Sequence, residues 1–410
     1  MPGVVDRHPF DVPLETLRLR TSLKWRAVDP GVLPLWVAEM DVMPAPAVTE
    51  AIGAALGLGD TGYAWGAGYA EALDDFSRQR WGCAAFDPAR SALVPDVMLG
   101  AVELLALVTR PGSTVVVTPP VYPPFYAFAE HRDRRVLEVP LGPGGRLDLA
   151  ALGPALERAG ASGPAAFLLS NPHNPTGTVH TAEELAELAG LAETTGVRVI
   201  SDEIHAPLVL PGASFSPYLG VPGAERGFAL VSASKAWNLP GLKAALAFAG
   251  PDAVGDLARL PEEVGHGPSH LGVLAHTAAL RHGGAWLDEV LVGLDRNRRL
   301  LGGLLAEHLP GIAWRPPEAT YLAWLDCAGL PPGVSSGPRG VEAAAEAARG
   351  DASARVGAAA WFLDRAAVLL SSGPAFGSGG ERCVRLNFAT SASVLTEALQ
   401  RMGEAVAAGG

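Results

Sequence analysis

Between residues 114 and 249, short apolar runs alternate with amphipathic stretches. Thr114–Thr118, Arg135–Val139, Ala165–Ser170, Val197–Ile200, Phe228–Val231 and Ala244–Ala249 read as strands. Thr181, with Glu184 three residues on, marks a helix start at which each side chain satisfies a backbone N–H of the other. This alternation predicts an α/β domain around a largely parallel sheet. Upstream, an apolar stripe through Val48, Ile52, Ala55 and Leu56 predicts a helix over 46–58 opened by Pro46. Further helices are expected over Tyr69–Trp81 and up to Val108 from a start near Val97. Downstream, 269–309 reads as helix broken at His282-Gly283-Gly284, and strands fall within 310–326 and 366–388. With helices over 340–349 and 393–407, this part forms a smaller α+β domain.

Residues 1–45 are broken by Pro30, Pro34 and Pro44 and read as an arm with little regular structure. The arm carries Trp25, Trp36 and Met40, so it must pack on its own small domain or at a dimer interface. The expected organisation is an arm over 1–45, a large domain over 46–285 and a small domain over 286–410. Residues 331–357 are rich in Pro, Gly, Ser and Ala and read as a flexible insertion.

Composition narrows the class. The chain of 410 residues is 49% hydrophobic and 18% charged, which predicts a globular protein with a large core. A net charge of -12 and the lack of a basic run disfavour nucleic acid as a partner. Cys83, Cys327 and Cys383 lack zinc-site spacing and read as buried thiols. No apolar run is long enough to span a bilayer, so a cytoplasmic protein with no membrane partner is expected.

Four reactive residue types lie just past predicted strand ends: Tyr122, Asn174, Asp202 and Lys235. Taken singly, each has an ordinary reading as cap, turn residue or surface charge. In an α/β sheet, however, strand carboxyl ends are where ligands bind. Jointly the four match pyridoxal 5'-phosphate (PLP). That cofactor requires a lysine for a Schiff base, an acid at the ring nitrogen, a donor at the ring oxygen and an aromatic face. Ser232 and Ser234 beside Lys235, and the helix start at Val97 and Met98, are candidates for its phosphate.

The sequence resembles the fold-type I PLP enzymes, the aspartate aminotransferase superfamily. The resemblance is carried by Asn171-Pro172-His173-Asn174-Pro175-Thr176-Gly177, Ser201-Asp202-Glu203, Ser232-Ala233-Ser234-Lys235 and Val384-Arg385-Leu386-Asn387. It is closest to the MalY/PatB-type cystathionine β-lyases, or C–S lyases. Thr21-Ser22-Leu23-Lys24-Trp25, Leu33-Pro34-Leu35-Trp36-Val37-Ala38-Glu39-Met40-Asp41, Asp202-Glu203-Ile204-His205 and Thr320-Tyr321-Leu322-Ala323-Trp324-Leu325-Asp326 carry that closer likeness. His205 stands where aminotransferases of the superfamily usually have Tyr.

The resemblance implies the aspartate aminotransferase-like fold and a homodimer with active sites at the interface. It makes Lys235 the Schiff-base lysine and general base. Asp202 pairs with the ring nitrogen, Asn174 bonds the ring oxygen and Tyr122 stacks on the ring, with a possible second role as proton donor to sulfur. Val97, Met98, Ser232 and Ser234 hold the phosphate, and Tyr63 reaches the phosphate of the neighbouring subunit. Arg385 clamps the substrate carboxylate, while Trp36 and Tyr63 help to shape the pocket. Two positions depart from the pattern: Glu39 replaces a usual Asp, and Lys243 replaces an arginine common near the phosphate. The implied reaction is α,β-elimination on L-cystathionine or another S-substituted L-cysteine, giving thiol, pyruvate and ammonia. Alternatives are transamination, or decarboxylation with oxidative deamination of a cysteine conjugate. A regulator with a vestigial PLP fold is a further class, which the intact lysine, aspartate and arginine disfavour.

Overall fold

A computed structural model describes residues 8–335 and 357–409. The helix expected over 340–349, and all but the two ends of the 331–357 insertion, lie outside the described residues. The chain divides into two compact units. One comprises Met1–Met43, Pro175–Gly177 and Trp286–Gly410, and the other Pro44–Asn174 and Thr178–Ala285. Among the described residues, no helix is long and apolar enough to cross a membrane.

The arm holds a two-residue strand, β1 (Leu33–Pro34), and two single-turn helices, Leu14–Leu17 and Leu23–Arg26. It is thus more regular than its prolines suggested, because each short helix begins just after an extended residue, Pro13 or Ser22.

The larger unit is built on seven strands: β2 (Ser91–Val94), β3 (Thr114–Val117), β4 (Arg135–Glu138), β5 (Ala166–Ser170), β6 (Arg198–Asp202), β7 (Phe228–Val231) and β8 (Ala245–Ala249). Their spatial order is β2-β8-β7-β6-β5-β3-β4. Only β8 runs against its neighbours. Both faces of the sheet are buried, which explains the unbroken apolar runs. Val115, Val117, Leu168 and Ile200 pack on one face with Leu104 and Leu105 of the helix Val97–Val108. The alternate residues Val116, Phe167, Leu169 and Val199 pack on the other with Leu152 and Leu156 of Leu149–Ala161 and Leu185 and Leu188 of Ala182–Thr195. The expected capping is present: Glu184 N–H donates to Thr181 Oγ1 at 3.2 Å, and Thr181 N–H donates to the Glu184 carboxylate at 2.8 Å.

The other unit carries a four-stranded antiparallel sheet. Its strands are β9 (Ala313–Trp314), β10 (Leu322–Asp326), β12 (Ser371–Ser372) and β13 (Cys383–Asn387), in the order β12-β13-β10-β9. β11 (Val368–Leu369) pairs in parallel with β1, tying the arm to its own unit. Trp25, Trp36 and Met40 are accordingly buried there. Lys24 and Asp41, each 1% exposed, form an ion pair at 2.8 Å. Lys24 Nζ also donates to Glu39 O, and Trp25 Nε1 donates to Asp41. Asn387 Nδ2 donates to the carbonyls of Val37 and Glu39, both at 2.7 Å. Position 39 therefore contributes its carbonyl to this framework. Gly177 has φ +68, and a Cβ there would come within 2.3 Å of Pro317 Cβ. The N–H groups of Glu318 and Ala319 both donate to Gly177 O, so only glycine suits this turn.

Removing one member of a buried pair strands the other charge. Lys24→Met is expected to lower stability by about 3 kcal/mol. The double change Lys24→Met/Asp41→Asn should cost less than the sum of the single changes, a comparison made by urea denaturation of all three variants.

Candidate active site

In the larger unit, β2, β3, β5, β6 and β7 run in one direction, so their carboxyl ends share one edge of the sheet. Ser170 stands opposite Asp202, and Asp202 opposite Leu230. The turns that leave this edge carry the residues expected from sequence.

Asp202 ends β6 and is 8% exposed. Burial pushes its carboxyl up to about 6, against the Ile204 N–H and the Lys235 charge, which both pull it down. The Ile204 N–H donates to it at 3.1 Å. The neighbouring Glu203 is fully buried and accepts from Ser201 Oγ at 2.9 Å and Tyr218 N–H at 2.7 Å. Burial pushes Glu203 up to about 8, so it holds its proton at neutral pH. His205 is buried in the following turn. After β5, the Asn174 N–H donates to Ser170 Oγ at 3.1 Å, folding the loop back over its own strand end. Asn171 braces this loop by donating to Ser216 O. Tyr122, past β3, is half-buried and meets Phe125 edge to face, with centroids 6.1 Å apart.

Lys235 is half-buried in the turn after β7. Ser232 Oγ donates to Ala244 O at 2.7 Å and accepts from Ser234 N–H at 3.2 Å. The resemblance gave both serines to the phosphate. In the structure Ser232 Oγ braces the turn by joining Ala244 O to Ser234 N–H. The Ala233 N–H donates to the phenol of Tyr69 at 3.2 Å.

Asp96 caps the helix Val97–Val108 by accepting from Leu99 N–H at 2.8 Å. The N–H groups of Val97 and Met98, in the first turn, lack intrahelical acceptors. Lys243 pairs with the second oxygen of Asp96 at 2.9 Å, neutralising an acid that would otherwise oppose an anion at this helix start. Tyr63 stays outside its own core: its ring is 87% exposed, as are Leu58 at 84% and Trp65 at 81%.

In the other unit, Arg385 of β13 is 6% exposed. Its Nη2 donates to Trp36 O at 3.0 Å and to Ser371 Oγ at 3.2 Å, and the guanidinium lies over the Phe376 ring at 5.0 Å. Ser371 Oγ donates to the same Trp36 carbonyl. Trp36 packs its indole on Leu369 and Leu363 and turns its carbonyl to Arg385.

The larger unit's donor set fits PLP. It offers a buried carboxylate, an amine, an amide, an aromatic ring and a helix start with serines in the neighbouring turn. Sequence reasoning missed Tyr69, His276, Ser170 and Ser371. Tyr69 reads as one more apolar member of a helical stripe, and the serines carry no motif, so no local signal marked them.

The family model for aminotransferase class I and II matches residues 40–402. The chain belongs to the aminotransferase class I and II family. A Mycobacterium leprae protein provisionally named as a cystathionine beta-lyase is 57% identical to this family member over 96% of both chains. The Corynebacterium glutamicum cystathionine beta-lyase is 34% identical over 95% of this chain and 98% of its own. A solved structure from Corynebacterium diphtheriae, provisionally described as a PLP-dependent beta-cystathionase, superposes with a TM-score of 0.85 at 34% identity, covering 97% of this chain and 98% of its own. The fold is that of the aspartate aminotransferases, with the mostly parallel central sheet expected from sequence.

Within this family member, the raised carboxyl of Asp202 is a stability statement. Its folded value near 6 lies above the ordinary 3.8, so the folded state binds more protons between the two and stability falls as pH rises across that window. In cofactor-free protein, Asp202→Asn is therefore expected to be more stable than wild type at pH 8, by ~3 kcal/mol. The two should converge below pH 4, as thermal melts across pH will measure.

Proposed function

We propose that the protein is a carbon–sulfur β-lyase acting by α,β-elimination on L-cystathionine or another S-substituted L-cysteine, with release of thiol, pyruvate and ammonia. The protein is a PLP-dependent carbon–sulfur lyase. The observation that carries the reading is 57% identity along nearly the whole chain to a relative named for this activity, together with Lys235 and Asp202 on adjacent strand ends.

PLP, when bound, supplies an electron sink for the charge left on the substrate α-carbon. Lys235 would hold it through Nζ and would take the substrate α-proton on the same atom. Asp202 holds a proton on the ring nitrogen. Its burial, which disfavours a lone carboxylate, becomes an advantage opposite a cation. Asn174 donates to the ring oxygen, Tyr122 covers the ring face, and His205 belongs to the turn behind Asp202. Val97 and Met98 N–H groups, with Ser232 and Ser234, would receive the phosphate. Arg385 binds the substrate carboxylate bidentately, with Trp36 fixing the guanidinium. The departing sulfur takes its proton from the Tyr122 phenol.

The same reading makes the protein a cytoplasmic homodimer. Leu58, Tyr63 and Trp65, close in sequence, each expose a large apolar side chain of the kind that a partner covers. Tyr63 then serves the partner's phosphate site.

With L-cystathionine and a panel of cysteine conjugates, thiol and pyruvate should appear in equal amounts and catalytically. Stoichiometric keto acid with pyridoxamine phosphate and no thiol would establish the transaminase instead. Carbon dioxide release with oxygen uptake would establish oxidative decarboxylation. Lys235→Ala should abolish turnover, and Arg385→Lys should raise KM by roughly 10- to 100-fold, a loss of bidentate charge-assisted bonding. Trp65→Glu should yield monomers by sedimentation velocity and weaken PLP retention. A Trp65→Glu dimer of unchanged affinity would remove these side chains from the interface.

A further inference from the structure

Beneath the lysine turn lies a buried pair that the reaction leaves unused. Tyr69 is 1% exposed and His276 is fully buried. They stand on the helices Ala67–Trp81 and His270–His282. Tyr69 Oη lies 3.0 Å from His276 Nδ1, and the rings meet edge to face with centroids 5.5 Å apart. Oη also accepts from Ala233 N–H at 3.2 Å, between the two serines that precede Lys235. The backbone carbonyls of Leu239 and Leu242 bear on the imidazole.

Proton placement follows. A neutral imidazole carries one N–H. Ala233 N–H already donates to the phenol, so the phenol proton goes to Nδ1 and the imidazole proton stays on Nε2, which makes no hydrogen bond among the described residues. Nδ1 is then an acceptor, and the phenol donates to it while its lone pairs receive the Ala233 N–H. Burial keeps both groups neutral: it pushes the imidazole down to about 4 and the phenol up to about 12. The pair thus meets the beginning of the 232–242 segment through a hydrogen bond to Ala233, and the carbonyls of Leu239 and Leu242 near its end bear on the imidazole without bonding Nε2.

We propose that Tyr69 and His276 are a positioning pair, which holds the beginning of the 232–242 segment at Ala233 and so sets the place of Lys235 Nζ. They act through the backbone and not on the reacting atoms. The proposal rests on Lys235 being the Schiff-base lysine and base.

The test compares Tyr69→Phe, His276→Leu and His276→Gln holoenzymes with wild type. Gln keeps an acceptor oxygen for the phenol. In Tyr69→Phe and His276→Leu, amide hydrogen exchange in peptides spanning 232–242 should quicken roughly fivefold, the loss of one neutral hydrogen bond. Peptides from β5 and β6 should exchange as in wild type, and kcat should fall with KM held. His276→Gln should recover both readouts. Unchanged exchange over 232–242, uniform acceleration across the sheet, or equal defects in His276→Gln and His276→Leu would each overturn the proposal. If Tyr69→Phe does not fold, the two His276 variants decide. Exchange is read without substrate, so it stands apart from the functional reading. Full turnover by Lys235→Ala would sink the role of the lysine while leaving the exchange result intact.

Discussion

The chemistry of the larger unit depends on parallel strands that end in register. Ser170, Asp202 and Leu230 lie opposite one another across three adjacent strands. Every turn leaving that edge therefore begins at the same height. A carboxylate at the end of one strand and a lysine in the turn of the next act on each other because the ladder leaves them no other arrangement. A one-residue slip would turn Asp202 to the opposite face of the sheet. The two apolar layers prevent it, since the same slip would bring Leu168 and Ile200 out of the first layer and Phe167 and Val199 out of the second.

Burial acts differently on the two adjacent acids at this edge. Glu203 is enclosed by a hydroxyl and a backbone N–H and is held protonated, a fixed brace between β6 and the segment at Tyr218. Asp202 has one backbone donor and a nearby ammonium, and burial holds its carboxyl near 6, lower than that of Glu203. One acid receives two close hydrogen bonds from the protein itself, both on Oε1. The other remains poised for an external cation, which is the property a pyridinium-binding acid needs.

The remaining unit solves a different problem, that of keeping a guanidinium in place inside an apolar wall. Phe376 covers one face of Arg385, and Trp36 and Ser371 supply neutral acceptors. The Trp36 carbonyl is itself placed by the pairing of β1 with β11, just upstream of the network of Lys24, Asp41 and Asn387. The family-like strings in the arm thus contribute backbone carbonyls and one ion pair to this framework.

What the sequence determined by itself was local. Alternating apolar runs placed the strands, the Thr181–Glu184 pair placed a helix start, and reactive residues just past strand ends marked the site. These features are readable because periodicity, capping and turn chemistry act within a few residues. Trp25, Trp36 and Met40 showed that the arm must be covered, and the structure decided that its own unit covers it. Other features needed the tertiary fold. The partners Arg385 and Trp36 lie 349 positions apart, and Tyr69 and His276 lie 207 apart. The bond from Ser232 Oγ to Ala244 O spans 12 positions. No local pattern encodes such pairings, because packing and the satisfaction of buried polar groups settle them only when distant segments close around them.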